Sequence, residues 1–273
     1  MDPTPAGTEP IKAPGLMKLL LEARAPFEYA ASLAAAPWLL SAPRGDGHAV
    51  LVYPGFLATD FSTRPLRRLL RTLGHDVHGW EQGRNVGART GTLERALEHL
   101  RQTHRASGRR VSLVGWSLGG VFALYGALQA PECVRHLVTL GSPVNVGPEG
   151  SQASPLVKAL YRMVAHPLGA EVHVMQPRAK SLREHSLPSV PISCLYSISD
   201  GVVPPQEATI DGPDAHCENI RVSGSHTGLG FNPMVLAIVA DRLALPEGQW
   251  QPFSPGGLPG AMYRLMTHAA LPI

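Results

Sequence analysis

The sequence predicts an α/β fold in which a mostly parallel central sheet is flanked by helices. Short apolar runs rich in Val, Leu and Ile alternate with segments of helical spacing, and that alternation implies right-handed crossovers between parallel strands. A glycine-rich pentad, Gly115-Trp116-Ser117-Leu118-Gly119, stands between one such run and one such helix. With 273 residues, 44% of them hydrophobic and 16% charged, the chain is long enough for one domain with a sizeable core.

Residues 1–43 read as an N-terminal helical extension. Leu16 to Ala42 is rich in Leu and Ala, but Glu22, Arg24 and Glu28 interrupt it. That breaks any membrane span of about 20 residues and fits an amphipathic helix lying on the domain. After the turn Arg44-Gly45-Asp46-Gly47, His48 to Tyr53 reads as a buried strand stopped by Pro54-Gly55. Pro65 suits the start of a helix whose Leu66, Leu69, Leu70 and Leu73 fall at i, i+3, i+4 and i+7, and Gly74 closes it. His75 to His78 is a short strand and Gly79 to Gly91 a glycine-punctuated loop. Leu93, Ala96, Leu97 and Leu100 then form the apolar face of the next helix. Arg110 to Val114 is the strand behind the pentad, and the helix ahead of it runs until Pro131. Val134 to Leu140, Pro191 to Ser197 and Cys217 to Val222 are further strands, and Asn232 caps a last helix from Pro233 towards Leu245. The catalytic domain is thus expected over 44–245. Its alternation is broken by an inserted helical cap or lid at 144–188, with a helix near Pro155 to Ala165, and a Pro/Gly-rich tail with a short helix follows at 246–273.

Ligands of a parallel sheet gather at the carboxyl ends of its strands. The residues found there are Pro54-Gly55-Phe56, Ser117, Gly141-Ser142-Pro143, Asp200 and His226. The pattern G-x-S-x-G alone is weak, because 28 Gly and 18 Ser in this chain produce about 0.2 matches by chance. Ser117 as a plain helix N-cap and Asp200 as a turn residue beside Gly201 are the competing readings. A serine hydroxyl is a poor nucleophile until an imidazole takes its proton, and the imidazole needs a carboxylate to hold its tautomer. Ser117 is therefore the expected nucleophile, His226 the general base and Asp200 the acid, with Glu207, Asp211 and Asp214 as fallback acids. The backbone N–H groups of Leu118 and Phe56 are the expected oxyanion donors. Trp116 and Leu57 are expected to bind substrate, joined by apolar residues of the insertion such as Leu156, Val157, Leu160, Met163 and Val164.

The order Ser, Asp, His at successive strand ends resembles the α/β-hydrolase family, in particular its bacterial lipases and esterases, over roughly residues 46–245. Besides the pentad, Ser199-Asp200-Gly201-Val202-Val203-Pro204 looks like the family's acid-bearing loop and Gly224-Ser225-His226-Thr227-Gly228 like its histidine loop. The chain departs from the family in having Pro54-Gly55 where His-Gly is frequent. The resemblance implies the α/β-hydrolase fold, a nucleophile elbow at Ser117, and cofactor-free cleavage of carboxylic esters through an acyl-enzyme. The expected substrate is a small-molecule or lipid-like ester. An acyltransferase or thioesterase using the same triad, and an inert hydrolase-fold binding protein, stay open as alternatives.

Composition excludes other classes. A net charge of +3 without basic runs leaves no nucleic-acid footprint. Cys133, Cys194 and Cys217 lack C-x-x-C spacing and are expected as buried free thiols. His75 and His78 would face opposite sides of a strand, and no catalytic metal is expected. Gly83-Arg84-Asn85-Val86-Gly87 lacks the Lys-Ser/Thr ending of a phosphate loop and reads as a glycine loop in reach of the site. No signal peptide is read, so a cytoplasmic location is expected, and the N-terminal segment's composition is compatible with peripheral membrane contact. Oligomeric state is not legible.

Overall fold

The computed structural model describes residues 11–89, 91–146, 150–165, 188–211 and 216–256, together with Tyr263 and Thr267. Six strands, β1 (Ala49–Tyr53), β2 (Asp76–His78), β3 (Val111–Trp116), β4 (Val134–Leu140), β5 (Ile192–Ser197) and β6 (Cys217–Val222), form one sheet in the order β2-β1-β3-β4-β5-β6. Every pairing is parallel. The chain leaves β1 towards one edge of the sheet and returns through β3 towards the other. The crevice outside the carboxyl ends of β1 and β3 is therefore the switch point, where open parallel sheets bind their ligands.

Helices α4 (Arg64–Thr72), α5 (Thr92–Ser107), α6 (Leu118–Gln129) and α8 (Pro233–Leu243) cover the sheet. Strand alternation divides the core in two. Leu51, Tyr53, Leu113 and Leu137 pack with Leu100, Phe122 and Ala123 of α5 and α6. Val50, Val52, Val114 and Val138 pack with Leu66, Leu70, Val235 and Val239 of α4 and α8. Because both faces are covered, β1 and β4 are buried along their full lengths; β1 reads in the sequence as a continuous apolar run, whereas β4 carries Arg135, His136 and Thr139 among its apolar residues. The three cysteines are free and buried. Helix α7 (Pro155–Ala165) lies in the expected insertion, whose residues 147–149 and 166–187 fall outside the described set, as does most of the tail.

The N-terminal segment differs from the expected single helix. It forms three short ones, α1 (Leu16–Leu21), α2 (Ala25–Ala34) and α3 (Ala36–Leu39), with a 3-10 turn at Glu22–Arg24. Pro26 and Pro37 stand in the first turns of α2 and α3, where the missing N–H costs nothing, whereas a continuous helix would have to absorb them in its interior. Its polarity also departs from an amphipathic helix packed by its apolar face: Leu16, Leu20, Phe27 and Leu33 are each more than 60% exposed. Among the described residues no helix is long and apolar enough to cross a membrane.

The amino ends of the strands carry a buried polar network that includes Arg135 and His136 of β4. Arg135 pairs with Asp46 (2.9 Å) and donates to Leu245 O, and His136 Nε2 meets Ser193 Oγ at 3.0 Å. Ser193 donates in turn to Glu218, which pairs with Arg242. Burial pushes His136 down to about 3 and His75 to about 4, so both rings are neutral at neutral pH. A histidine lowered in this way contributes stability that is present above the unfolded value of about 6.5 and lost as pH falls through the folded value. We therefore expect the melting temperature to drop as pH falls from about 6.5 towards 4. His136→Gln should flatten that slope in thermal denaturation, and identical slopes would contradict the assignment.

Candidate active site

Ser117 stands between β3 and α6 with φ 53° and ψ −124°, a backbone conformation that L residues rarely adopt and that costs on the order of 1–3 kcal/mol. The glycines around it make the turn sterically feasible. A Cβ at Gly119 would collide with the carbonyl oxygens of Tyr53 and Pro54 at the end of β1, so α6 can start this close to the neighbouring strand only with glycine there. The Ser117 N–H donates to Leu140 O (2.9 Å), fixing the turn to the end of β4.

The three side chains singled out in the sequence meet in a line. His226 Nε2 lies 2.9 Å from Ser117 Oγ, and His226 Nδ1 lies 2.7 Å from Asp200 Oδ2. Asp200 is 1% exposed and His226 6%. The other Asp200 oxygen, Oδ1, accepts the N–H groups of Val202 and Val203, both at 2.8 Å. With the carboxylate as acceptor, Nδ1 carries the proton and Nε2 is free to accept from the serine hydroxyl. Burial pushes the His226 pKa down, but the charge and hydrogen bond of Asp200, with a smaller contribution from the charge of Glu22, outweigh it and leave it above the ordinary value.

Glu207 and Asp211, two of the fallback acids, bond elsewhere. Glu207 accepts from Ser151 Oγ (2.6 Å) and Gln152 N (2.5 Å), which ties down the chain ahead of α7, and burial raises its pKa against those bonds. Asp211 accepts from Asn145, and Asp214 lies outside the described residues.

Leu118 N–H is the first of α6, at a helix end where N–H groups have no intrahelical acceptor. The Gly55-Phe56 turn runs beside the serine, with a Cβ position at Gly55 only 3.4 Å from Ser117 Cβ. Leu57 follows at φ 60°. This turn is held by the glycine loop: fully buried Asn85 donates from Nδ2 to Pro54 O (2.8 Å), its backbone N–H donates to Ala58 O, and its own carbonyl accepts from Leu57 N. Trp116 lies beneath the histidine loop, where its indole donates to His226 O (3.1 Å) and packs against Gly230. In the insertion, Leu156 and Met163 face solvent, while Tyr161 stacks against Phe56 at 5.0 Å between ring centres.

Several supporting residues were not anticipated from sequence. Asn85 and Tyr161 are two. Gly141 is a third, at φ 54° after β4, where a Cβ would sit 3.1 Å from Asp200 Oδ2 and 3.2 Å from His226 Nδ1. Glu22 and Glu28 bind the two loops that carry Asp200 and His226. A glycine directly after a strand is a readable cue for Gly141; the others are joined to the site only by tertiary contact. Among the described residues, no group of three or more His, Cys, Asp or Glu is placed to hold a metal ion.

No protein-family profile and no curated protein sequence matches the chain. Solved structures do. Aspergillus fumigatus lipase B aligns with a TM-score of 0.58 at 18% identity, over 77% of this chain and 56% of that one, so this chain spans little more than half the length of that lipase. A structure reported for the metagenome-derived lipolytic enzymes LipS and LipT aligns at 0.55 and 18%, over 74% of this chain and 93% of that one. The thioesterase domain of the curacin biosynthetic pathway aligns at 0.52 and 13%, over 72% and 92%. The likeness is one of fold: the chain has the α/β-hydrolase fold.

Removing the Asp200 charge should release the imidazole. In an NMR titration of the His226 ring protons, Asp200→Asn should move the midpoint to lower pH; an unmoved midpoint would refute the pairing of Asp200 with His226.

Proposed function

We propose that this chain is a serine hydrolase that cleaves carboxylic esters through an acyl-enzyme. The observation that carries the reading is the hydrogen-bonded line Ser117–His226–Asp200 with its serine on a strained strand-to-helix turn. In this reading the turn is the nucleophile elbow of the fold.

His226 Nε2 takes the hydroxyl proton as Ser117 Oγ bonds to the ester carbonyl carbon, giving a tetrahedral oxyanion and an imidazolium. Asp200 stabilises that imidazolium without taking its proton, and its two backbone N–H bonds keep it oriented. The oxyanion is met by the N–H groups of Leu118 and Phe56, one at the positive end of α6 and one on the turn braced by Asn85. Collapse breaks the bond to the alcohol oxygen, which leaves with the proton from Nε2. Water, deprotonated by the same nitrogen, then attacks the acyl-enzyme and releases the acid. Phe56, packed against Tyr161, would form with Leu57 an apolar wall that favours an acyl or lipid-like substrate.

A thioester carbonyl would follow the same path, and the curacin thioesterase domain shares the fold. Turnover of matched oxygen esters and thioesters on the purified protein separates the two readings.

Ser117→Ala should lower turnover of a p-nitrophenyl acyl ester by at least about 1000-fold, with folding intact by circular dichroism. Because the base works in its neutral form and its pKa is raised, kcat/KM should fall with acidification through a midpoint above about 6.5. Full activity in Ser117→Ala, or no acid limb at all, would overturn the reading.

A further inference from the structure

We infer that Glu22 is a positioning residue for the His226 base, clamping the histidine and acid loops together from the N-terminal segment. The inference rests on the serine-hydrolase reading for its kinetic consequence, but its geometry is independent of it. Glu22 Oε1 accepts two backbone N–H groups, Gly201 (2.9 Å), next after Asp200, and His226 itself (2.8 Å). Its other oxygen accepts from Thr227 N (2.8 Å). One carboxylate therefore spans the loop after β5 and the loop after β6, which set the distance between Asp200 and His226. Charge-assisted bonds of this kind are shorter and stronger than neutral ones.

A second carboxylate extends the clamp. Glu28 accepts from Ser225 N (2.8 Å), from Arg24 Nε (3.0 Å) and from Asn232 Nδ2 (3.3 Å), and Arg24 also donates to Ser199 Oγ (2.6 Å). Asn232 is at the same time the cap of α8.

The loops are shaped to receive these groups. A Cβ at Gly201 would collide with Lys18 O, and one at Gly228 would collide with the Glu28 carboxylate. Neither glycine has a positive φ, so each is needed for close approach. The stretch from Glu22 to Glu28 thus docks by its carboxylates while Leu16, Leu20 and Phe27 point outward, and farther along Tyr29 meets Phe231 and Leu39 joins the apolar core.

Two consequences follow. Loss of the clamp frees the loop that carries His226, whose ring must stay within reach of Ser117 Oγ, and a displacement of about 1 Å can cost about 100-fold in rate. The charged groups around His226 are Asp200 in the loop after β5 and Glu22 in the 3-10 turn, with Glu28 and Arg24 farther out as an ion pair at 3.0 Å. Neutralising Glu22 removes one of the two negative charges that favour the imidazolium, so the base should titrate at lower pH.

The test uses the full chain with Glu22→Ala, Glu22→Gln and Glu22→Asp. It reads ester kinetics, the His226 ring-proton titration by NMR, and melting temperature. We expect Glu22→Ala to lose roughly 10- to 100-fold in kcat with KM changed less than about twofold. Glu22→Gln keeps an acceptor oxygen for the two shared N–H groups and should retain more of kcat. It should nevertheless move both the acid limb and the NMR midpoint to lower pH, while Glu22→Asp restores them towards wild type. Should Glu22→Ala fail to fold, Glu22→Gln carries the test alone. A wild-type limb and midpoint in Glu22→Gln, even alongside a lowered melting temperature, would overturn the inference and leave Glu22 a structural anchor. A wild-type protein without esterase activity would count against the hydrolase reading, while the NMR midpoint still decides the role of Glu22.

Discussion

A carboxylate that is only 1% exposed persists as an ion only if each of its oxygens is satisfied, and the pairing of Asp200 with His226 meets that demand. Oδ1 is occupied by two N–H groups from its own loop and Oδ2 by the imidazole. Removing the imidazole would leave a buried charge uncompensated, so the pair constrains everything around it. The loops after β5 and β6 must come together, Gly141 must carry no side chain, and β4 must end where Ser117 can bond to Leu140 O. The all-parallel sheet supplies this convergence, because every strand delivers its carboxyl end to the same edge.

The sheet alone does not fix the angle between the two loops, and the N-terminal segment completes the frame. A helix packed through its apolar face would have offered weakly directional contacts. Carboxylates bonding backbone N–H groups at 2.8–2.9 Å are directional, and they place negative charge where an imidazolium would form. On the other side of the serine, Asn85 does the corresponding work for the Pro54–Ala58 turn, with its amide fully buried and its hydrogen bonds made to backbone. The groups that hold this turn are neutral.

Much of this was legible in the sequence wherever burial is uniform or a local rule applies. β4 and β6 run over the residues expected, marked by Val134, Leu137, Val138 and Leu140 in one and Ile220 and Val222 in the other, although both also carry charged or polar residues. Helix α7 matches its expected span, and Asn232 caps α8 by accepting from Met234 N and Val235 N. The line of Ser117, Asp200 and His226 was readable because strand order converts chain position into place. What escaped was tertiary. Glu22 and Glu28 looked like interruptions of an apolar segment, since their partners lie about 180–200 residues away. Pro26 and Pro37 did announce the broken helix, and the Leu/Ala composition concealed it. Trp116 was expected as a pocket wall because it neighbours Ser117. Its indole bonds to His226 O under the histidine loop.

The central claim is that Ser117 is a nucleophile activated by His226. Intact-mass spectrometry after exposure to a fluorophosphonate, followed by peptide mapping, tests it directly, because the probe bonds to an activated serine and loses fluoride. One adduct per chain is expected, on the peptide bearing Ser117, formed much more slowly in His226→Ala and absent in Ser117→Ala. No adduct on the folded wild-type protein, or an adduct that survives Ser117→Ala, would contradict it.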